Sequence, residues 1–442
     1  MKKLIFFSFI FVMTCSLVRY NYGIVDMLII VFNYIFLYSF FKRRNLKDNL
    51  AYLLLWGYIF LSSTVVAAFQ MWTTGFMYNN VKPPAGDFED LAIFANRVML
   101  FASLILIFPS KNLKNESSSL NNHFYIGKEL PKRIPRLFIC LAFFLTLLSA
   151  ALGISDVEES KIILPFHLNG LIDELRRNIF PILFAVYIYD CLKKNRKTDK
   201  IVIVGFFLWA MLEMLVRVSK GAFLTSFLPV LLLLFIMGRF NKKTTLSVVL
   251  PILMIFLISY PIINTMRTLG DNSTQSFVEA YKMNKSGEGE GSSPYLRMFI
   301  NGMDYLKVKS TVETDHSFFN FHRAPILAQM GGTAPYITYN IDGYSRDLHH
   351  SSGTTGIVDP LLWGGAGFCY LIVFLLSVLA RFVDSYKLFR EKLLYQLVML
   401  FVVKTFVMQR SISFFFDNLF FGAIVTIILE FIIVRLYYKN YA

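Results

Sequence analysis

The chain has 442 residues, of which 56% are hydrophobic and only 17% are charged, and its mean hydropathy is +0.54. Soluble globular domains carry about 25% charged residues, so this composition excludes an ordinary soluble protein. The formal net charge is +15. This charge fits basic cytoplasmic loops and attraction to anionic lipid head groups, and because no nucleic-acid-binding motif accompanies it we expect membrane lipids, and no nucleic acid, as partners.

Apolar runs of about 20 residues, the length that crosses a hydrocarbon core as a helix, recur through most of the sequence. Only helices and closed barrels satisfy their backbone in lipid, and these runs lack the alternation of barrel strands. We therefore predict an all-α polytopic membrane protein with about 12 transmembrane helices. The predicted spans are residues 4–18, 24–41, 50–69, 91–108, 137–153, 172–192, 201–217, 221–238, 246–264, 357–380, 393–409 and 413–434. A signal peptide is the alternative for the first run, but no small-x-small cleavage site follows it.

Basic residues predict the orientation of these spans. Lys and Arg concentrate in segments that alternate along the chain, including residues 42–44, 128–136 and 193–200. Because cytoplasmic loops are enriched in Lys and Arg, both termini are predicted to be cytoplasmic. The chain then divides into transmembrane helices 1 to 9 (residues 1–264), one large outer loop (residues 265–356) and transmembrane helices 10 to 12 (residues 357–442).

The predicted outer loop has two kinds of sequence. Residues 284–294 are rich in Gly, Ser and Glu and predict a flexible connection. Residues 295–306 and 316–332 combine aromatic and basic residues at helical spacing, which predicts short helices that lie on the membrane surface. Long loops in compact proteins are usually functional or disordered, and this one could form a lid over the helices.

A charged stretch, EMLVRVSKGAFL (residues 213–224), interrupts two apolar runs near the predicted outer surface. Glu213 and Arg217 share a helix face and are predicted to be able to pair, with Lys220 on roughly the same side. A charge at the centre of a bilayer costs about 2.5–3.5 kcal/mol, so an ionic partner is expected. One interpretation is that Arg217 and Lys220 reach outer-leaflet phosphates.

The other interpretation is a ligand that carries a diphosphate on a membrane anchor. Arg forks match phosphate oxygens, and several of them bind a diphosphate better than one does. Further cationic or titratable residues occur in the predicted outer segments: Arg176, Arg177, Arg267, Arg297, His322, Arg323, Arg346, His349 and His350. The four cysteines lack CxxC spacing, the six histidines lack an HExxH pattern, and neither a P-loop nor a dinucleotide motif is present, so no metal and no cofactor is expected.

Two short motifs, RVSKG (residues 217–221) and LHHSSGTTGIVDPLLWGGAGF (residues 348–368), occur in a polytopic chain with a large outer loop before its last spans. In this combination the sequence resembles the bacterial O-antigen polymerases, the Wzy-type oligosaccharide repeat-unit polymerases, which share their architecture with the O-antigen ligases. The resemblance implies a GT-C-like fold in the bacterial inner membrane. It also implies a metal-independent glycosyltransferase that joins undecaprenyl-diphosphate-linked glycans on the periplasmic face and releases undecaprenyl diphosphate, with a chain-length regulator protein as a further partner.

The resemblance also suggests roles for residues. It implies diphosphate binding by Arg217, by Lys220 in place of the more usual Arg, and by Arg267; Arg323 and Arg346 are further candidates because of their charge. A ligase-like histidine corresponds to His349 or His350, although HHSS stands where an Asn often follows. Histidine suits a general base at neutral pH, so the candidate catalytic residues are His349, His350, His322 and Glu213, with Asp347 as another supporting carboxylate.

Alternatives remain open at this stage. His349 and His350 could simply form a polar loop end that binds backbone groups. An O-antigen ligase would transfer the same lipid-linked glycan to lipid A core. A lipid-linked oligosaccharide flippase would place charges along a central cavity through both halves of the protein, whereas the charges here concentrate on one face and one loop.

Overall fold

The computed structural model describes residues 2–43, 49–60, 64, 85–107, 133–153, 168–193, 195–217, 220–237, 239, 248–269, 274–286, 305–306, 308–309, 318–330, 333–341 and 357–385. All regular elements in these ranges are helices, which confirms the all-α prediction for this part of the chain. The predicted spans 393–409 and 413–434 lie outside the described residues, and each of the other ten overlaps a described helix.

The helices are numbered here in chain order. They are α1 (Lys2–Arg19), α2 (Ile24–Arg43), α3 (Leu50–Ile59), α4 (Ala85–Leu104, with a 3-10 turn at Ile105–Ile107), α5 (Arg133–Ala151), α6 (Leu168–Glu174, with a π-helical turn at Leu175–Ile179), α7 (Phe180–Lys193), α8 (Lys200–Val216), α9 (Lys220–Ile236), α10 (Leu250–Leu269), α11 (Thr274–Ser286), α12 (Ala324–Gln329), α13 (Thr333–Tyr336, with a π-helical turn at Ile337–Ile341) and α14 (Val358–Ser385).

Several of these helices are suited to a membrane by length and composition. Four within the described ranges are long and apolar enough to cross one: Ile24–Lys42, Asp87–Ile107, Ile134–Ala151 and Val358–Ser385. Shorter apolar helices accompany them, at Phe6–Val18, Leu50–Ile59, Ala222–Leu234 and Leu250–Ile263. Multiple apolar helices in one chain indicate a multi-pass membrane protein.

The chain forms two compact units, one of residues 1–123 and 295–423 and the other of residues 124–294 and 424–442. The boundary between Pro294 and Tyr295 lies inside the predicted outer loop. Helix α11 therefore belongs to the second unit, whereas the short helices α12 and α13 belong to the first.

In the first unit, α4 packs against α2 and α14, and α14 also packs against α3. Both carboxylate oxygens of Asp384, near the end of α14, accept backbone hydrogen bonds at the start of α3, from Ala51 N and Tyr52 N at 3.0 Å each. A neighbouring helix thus supplies the carboxylate that satisfies the first N–H groups of α3. Arg381 binds Asn49 beside this cap. The end of α14 and the start of α3 therefore lie together.

Residues of the predicted outer loop meet the start of α4 in the same unit. Lys309 forms an ion pair with Asp87 (2.7 Å) and a second one with Asp90. Tyr305 stacks on Phe94 with ring centroids 4.4 Å apart. Tyr305 and Leu306 also pack, together with Tyr20 and Tyr22, against a buried cluster of Phe88, Leu91 and Ala92. The start of α4, the α1–α2 connection and this part of the loop thus lie at one end of the unit.

In the second unit, α5 and α8 run parallel. Arg136 and Asp199 pair at the start of both helices (2.7 Å), and Thr146 meets Glu213 near their ends. Between these contacts α5 and α8 approach closely at Gly205. A Cβ added to this glycine would lie only 2.8 Å from Ile139 Cγ2. Two parallel neighbours require the chain to return between them, and α7 makes this return.

Candidate functional site

A buried ion pair joins the end of α8 to the π-helical turn before α7. Arg176 Nε donates to Glu213 Oε1 at 2.7 Å, and Arg176 Nη2 donates to Oε2 at 3.0 Å. The side chains are only 1% and 2% exposed. Two parallel hydrogen bonds between a guanidinium and a carboxylate fix both groups in orientation as well as in distance.

Two further polar side chains complete this buried group. The Thr146 hydroxyl on α5 lies 2.5 Å from Glu213 Oε1 and accepts a hydrogen bond from Trp209 Nε1 at 3.0 Å. Both residues are fully buried. We call Thr146, Arg176, Trp209 and Glu213 the buried network. Because its polar groups bind one another, the network avoids the cost of unpaired polar groups in an apolar interior.

Arg217 lies directly beyond the network. It is the C-cap residue of α8, and its backbone N–H donates to the Glu213 carbonyl oxygen at 3.1 Å. Its residue exposure is only 8%. The RVSKG motif therefore begins at the end of α8, and Lys220 is the first residue of α9. The carboxylate that binds Arg176 and the carbonyl group that fixes the start of the motif belong to the same residue.

The structure thus gives Glu213 an ion-pair partner on another helix. The spacing in the sequence predicts that Glu213 can pair with Arg217, whereas the ion pair that the structure shows for Glu213 is with Arg176. Arg176 appears in the sequence only as one of several cations in the predicted outer segments. The pair RR at the start of a predicted span is the signal that could have singled it out. Arg177, the next residue, forms an ion pair with Asp173 at 2.6 Å. Arg267 lies in the last turn of α10, and the side chains of Arg267 and Lys220 are outside the described part of the structure.

The first unit contains a second group of candidate residues, next to a break in α14. Gly365 has φ 79° and ψ −176°, so the helix is interrupted there. This positive φ favours glycine, because an L side chain rarely adopts it. Broken helices at membrane depth occur where protein or a polar cavity covers the freed backbone.

Residues 318–323, here called the docked segment, cover this break. Asn320 N donates to Gly364 O at 2.9 Å, and Gly367 N donates to Phe318 O at 2.8 Å. A Cβ at Gly364 would lie 2.6 Å from the Phe321 ring, and one at Gly367 would overlap the Phe318 ring. The glycines of WGGAGF (residues 363–368) thus provide a break and room for the docked segment, a feature that a continuous apolar run does not predict.

The docked segment carries two of the predicted site residues, His322 and Arg323. Asn320 Oδ1 accepts a hydrogen bond from His322 N at 3.2 Å and also contacts His322 Nδ1. His322 is exposed, whereas Arg323, at the N-cap of α12, is only 7% exposed. A histidine and an arginine from the predicted outer loop are therefore held against a helix of spanning length.

A further polar group fixes the helix that follows. Thr333, at the start of α13, donates to the fully buried Asp359 in the first turn of α14. Trp363 Nε1 donates to Thr333 Oγ1 at 3.1 Å. The VDPLLW part of the second motif therefore anchors α13 to α14. The remaining candidates of that region, Arg346, Asp347, His349 and His350, lie outside the described residues.

The described candidates thus fall into two groups, Glu213 and Arg217 in the second unit and His322 and Arg323 in the first. Among the described residues no three His, Cys, Asp or Glu side chains are arranged to hold a metal ion. No protein-family model, no curated protein and no solved structure matches the chain.

Proposed function

We propose that the protein is a glycosyltransferase that joins oligosaccharide repeat units, each carried on undecaprenyl diphosphate, into O-antigen or a similar surface polysaccharide. In this proposal the chain spans the bacterial inner membrane about 12 times in a GT-C-like arrangement, with both termini in the cytoplasm. The transfer takes place on the periplasmic face and releases undecaprenyl diphosphate. It uses no metal and no cofactor, and a chain-length regulator would act as a protein partner.

The observation that carries this proposal is the buried Arg176–Glu213 pair with Arg217 at the end of the same helix. Ionisable groups within membrane-spanning segments are costly, and they usually mark functional sites. Two guanidinium groups and one carboxylate sum to a formal charge of +1. The bidentate pair joins the end of α8 to the turn before α7, and the backbone N–H of Arg217 donates to Glu213 O, so the backbone that carries Arg217 is held in place. A fixed arginine suits a diphosphate, because its planar fork matches two phosphate oxygens.

The proposed reaction requires few catalytic groups besides cationic side chains that bind the diphosphate. A lipid diphosphate is already a good leaving group, so the enzyme must orient two lipid-linked glycans and stabilise the charge that develops as the diphosphate leaves. Arg217 is the principal candidate for that charge, with Lys220, Arg267, Arg323 and Arg346 as further candidates. A histidine then removes the proton of the attacking hydroxyl, for which His322, His349 and His350 are the candidates.

Substitution of Arg217 tests the proposal. The gene for the chain is deleted from its host and replaced by wild type, Arg217→Ala, Arg217→Lys or the control Lys197→Ala, and the length of the surface polysaccharide is measured. Lys197 is an exposed cation in the predicted cytoplasmic turn before α8. Loss of one group that stabilises transition-state charge costs about 10²–10³-fold in rate, so Arg217→Ala should give single repeat units. Lys197→Ala should give polymers of normal length.

The same experiment separates the alternatives. A polymerase defect leaves single repeat units that have reached the periplasm, whereas a flippase defect leaves them on the cytoplasmic side. A ligase defect leaves long polymer on undecaprenyl diphosphate. Normal polymer in the Arg217→Ala strain, with the variant present at wild-type amounts, would remove Arg217 from the proposed chemistry.

A further inference from the structure

Asn320 binds the residue two positions later through a single side-chain atom. That atom lies 3.2 Å from the backbone N of His322 and also contacts the ring atom Nδ1. A backbone N–H can only donate, so the atom that it meets must be the amide oxygen and not the amide nitrogen. An oxygen without a hydrogen can only accept from the ring. In a hydrogen bond to this oxygen, Nδ1 of His322 is therefore the donor and carries the hydrogen.

The consequence is a defined tautomer. A neutral imidazole carries one hydrogen, so with Nδ1 protonated the lone pair is on Nε2. A general base needs this lone pair directed at the proton that it removes, and a neighbouring acceptor on the other nitrogen is the usual device that fixes it. Asn320 is such an acceptor, and it is not titratable.

The backbone around Asn320 is held as well. Its own N–H donates to the Gly364 carbonyl oxygen at 2.9 Å, and Phe318 two residues earlier accepts from Gly367 at 2.8 Å. These hydrogen bonds lie on either side of the break in α14. The rings of Phe318 and Phe321 fill the space that side chains at Gly367 and Gly364 would otherwise take. The imidazole is thus attached through Asn320 to a helix of spanning length.

We propose that Asn320 is a positioning residue that holds His322 as the general base of the transfer, an inference that rests on the proposed function. Nε2 accepts the proton of the attacking sugar hydroxyl, and the hydroxyl oxygen forms the new bond to the anomeric carbon. The bond from that carbon to the diphosphate oxygen breaks, and its electron pair leaves with undecaprenyl diphosphate. The imidazolium then returns its proton to water. One hydroxyl proton is released for each bond made, and no oxidant or metal takes part.

The tautomer is tested without any activity measurement. Protein labelled with ¹⁵N in the histidine rings is reconstituted in lipid, and the ring nitrogens are observed by solid-state NMR at alkaline pH, where imidazole rings are neutral. The His322→Gln variant identifies the signals of that residue. Hydrogen on Nδ1 in wild type, and a mixture of tautomers in Asn320→Ala, are expected. Hydrogen on Nε2 in wild type would overturn the inference.

The catalytic role is tested with reconstituted protein and single repeat units on undecaprenyl diphosphate, extracted from the deletion strain. His322→Gln should lower kcat by about 10²–10⁴-fold, the usual contribution of a general base. Asn320→Ala should lower kcat by a smaller factor with KM little changed. The matched control is Gln329→Ala, an exposed amide in α12 that should leave both constants unchanged.

Asn320→Asp gives a readout that a purely structural role would not change. A carboxylate beside the ring favours the protonated imidazole, which cannot act as a base, so the acid limb of the kcat profile should move up by about 1 pH unit or more. The charged residues of the docked segment and of α14, on which it lies, are the same in every variant: Arg323, Asp359, Arg381 and Asp384. An unchanged acid limb in a folded Asn320→Asp protein would refute the role of Asn320. If wild type itself joins no repeat units, the proposed function fails instead.

Discussion

Removal of one partner of the Arg176–Glu213 pair should destabilise the protein strongly. Glu213→Ala leaves the Arg176 guanidinium in an apolar interior where its exposure is about 1%. Breaking a buried ion pair from one side costs about 3–5 kcal/mol, because the remaining charge is no longer compensated. Glu213→Gln should cost less, since its amide oxygen can still accept from Arg176. The double variant Arg176→Met, Glu213→Leu should recover most of the loss, because it leaves no unpaired charge.

Thermal unfolding in detergent measures these differences. Cys191 and Cys369 are buried, so a thiol-reactive fluorogenic maleimide reports when the interior opens. A loss of about 3–5 kcal/mol corresponds to a fall in Tm on the order of 10 °C for a unit of this size. The control is Asp199→Asn, which removes the charge that pairs with the half-exposed Arg136 but keeps an N-cap for α8. A Glu213→Ala protein as stable as the Asp199→Asn protein would refute the reasoning.

Three further predictions concern the helix contacts and the topology. Gly364→Ala should displace the Phe321 ring and lower Tm. The control is Gly57→Ala, which should be neutral or stabilising because a Cβ there meets nothing within 4 Å. Equal Tm values for the two variants would contradict the close approach of the Phe321 ring to Gly364. Asp384→Ala should lower the stability by about 1 kcal/mol because the α3 cap is lost, and Asp384→Asn should keep part of the cap. Hydrogen exchange at the Ala51 and Tyr52 amides measures both effects. In a cysteine-free background, Lys282→Cys should react with an impermeant maleimide added to the periplasmic side and Lys197→Cys should not. The reverse pattern would show that the chain has the opposite orientation in the membrane.

The helices were the predictable part of the fold, since an apolar run of spanning length has few alternatives in lipid. The run at residues 24–41 corresponds to α2, which covers Ile24–Arg43. Boundaries were less predictable where polar contacts extend a helix beyond its apolar run. Helix α4 begins at Ala85, several residues before the predicted span, and the two carboxylates in this extension, Asp87 and Asp90, bind Lys309.

The break in α14 could not be predicted, although its glycines are visible in the sequence. Residues 357–380 have the composition of one continuous span, and hydropathy does not distinguish a straight helix from an interrupted one. What decides between them is the docked segment, more than 40 residues earlier in the chain, which satisfies Gly364 O and Gly367 N at the break. The same holds for Arg176, because the choice of partner for Glu213 depends on how helices pack and not on spacing within one helix.

The buried pair is better explained by positioning than by stability. A buried ion pair is often no more stable than well-packed apolar side chains of similar volume, so folding alone does not account for two charges in this interior. The pair does fix Glu213, whose carbonyl oxygen accepts the N–H of Arg217 at the end of α8. The double variant Arg176→Met, Glu213→Leu should therefore remain folded yet make shorter polymers, because Arg217 is no longer held in one position. Polymers of normal length from this double variant, with Arg217→Ala still defective, would show that Arg217 acts without the buried pair.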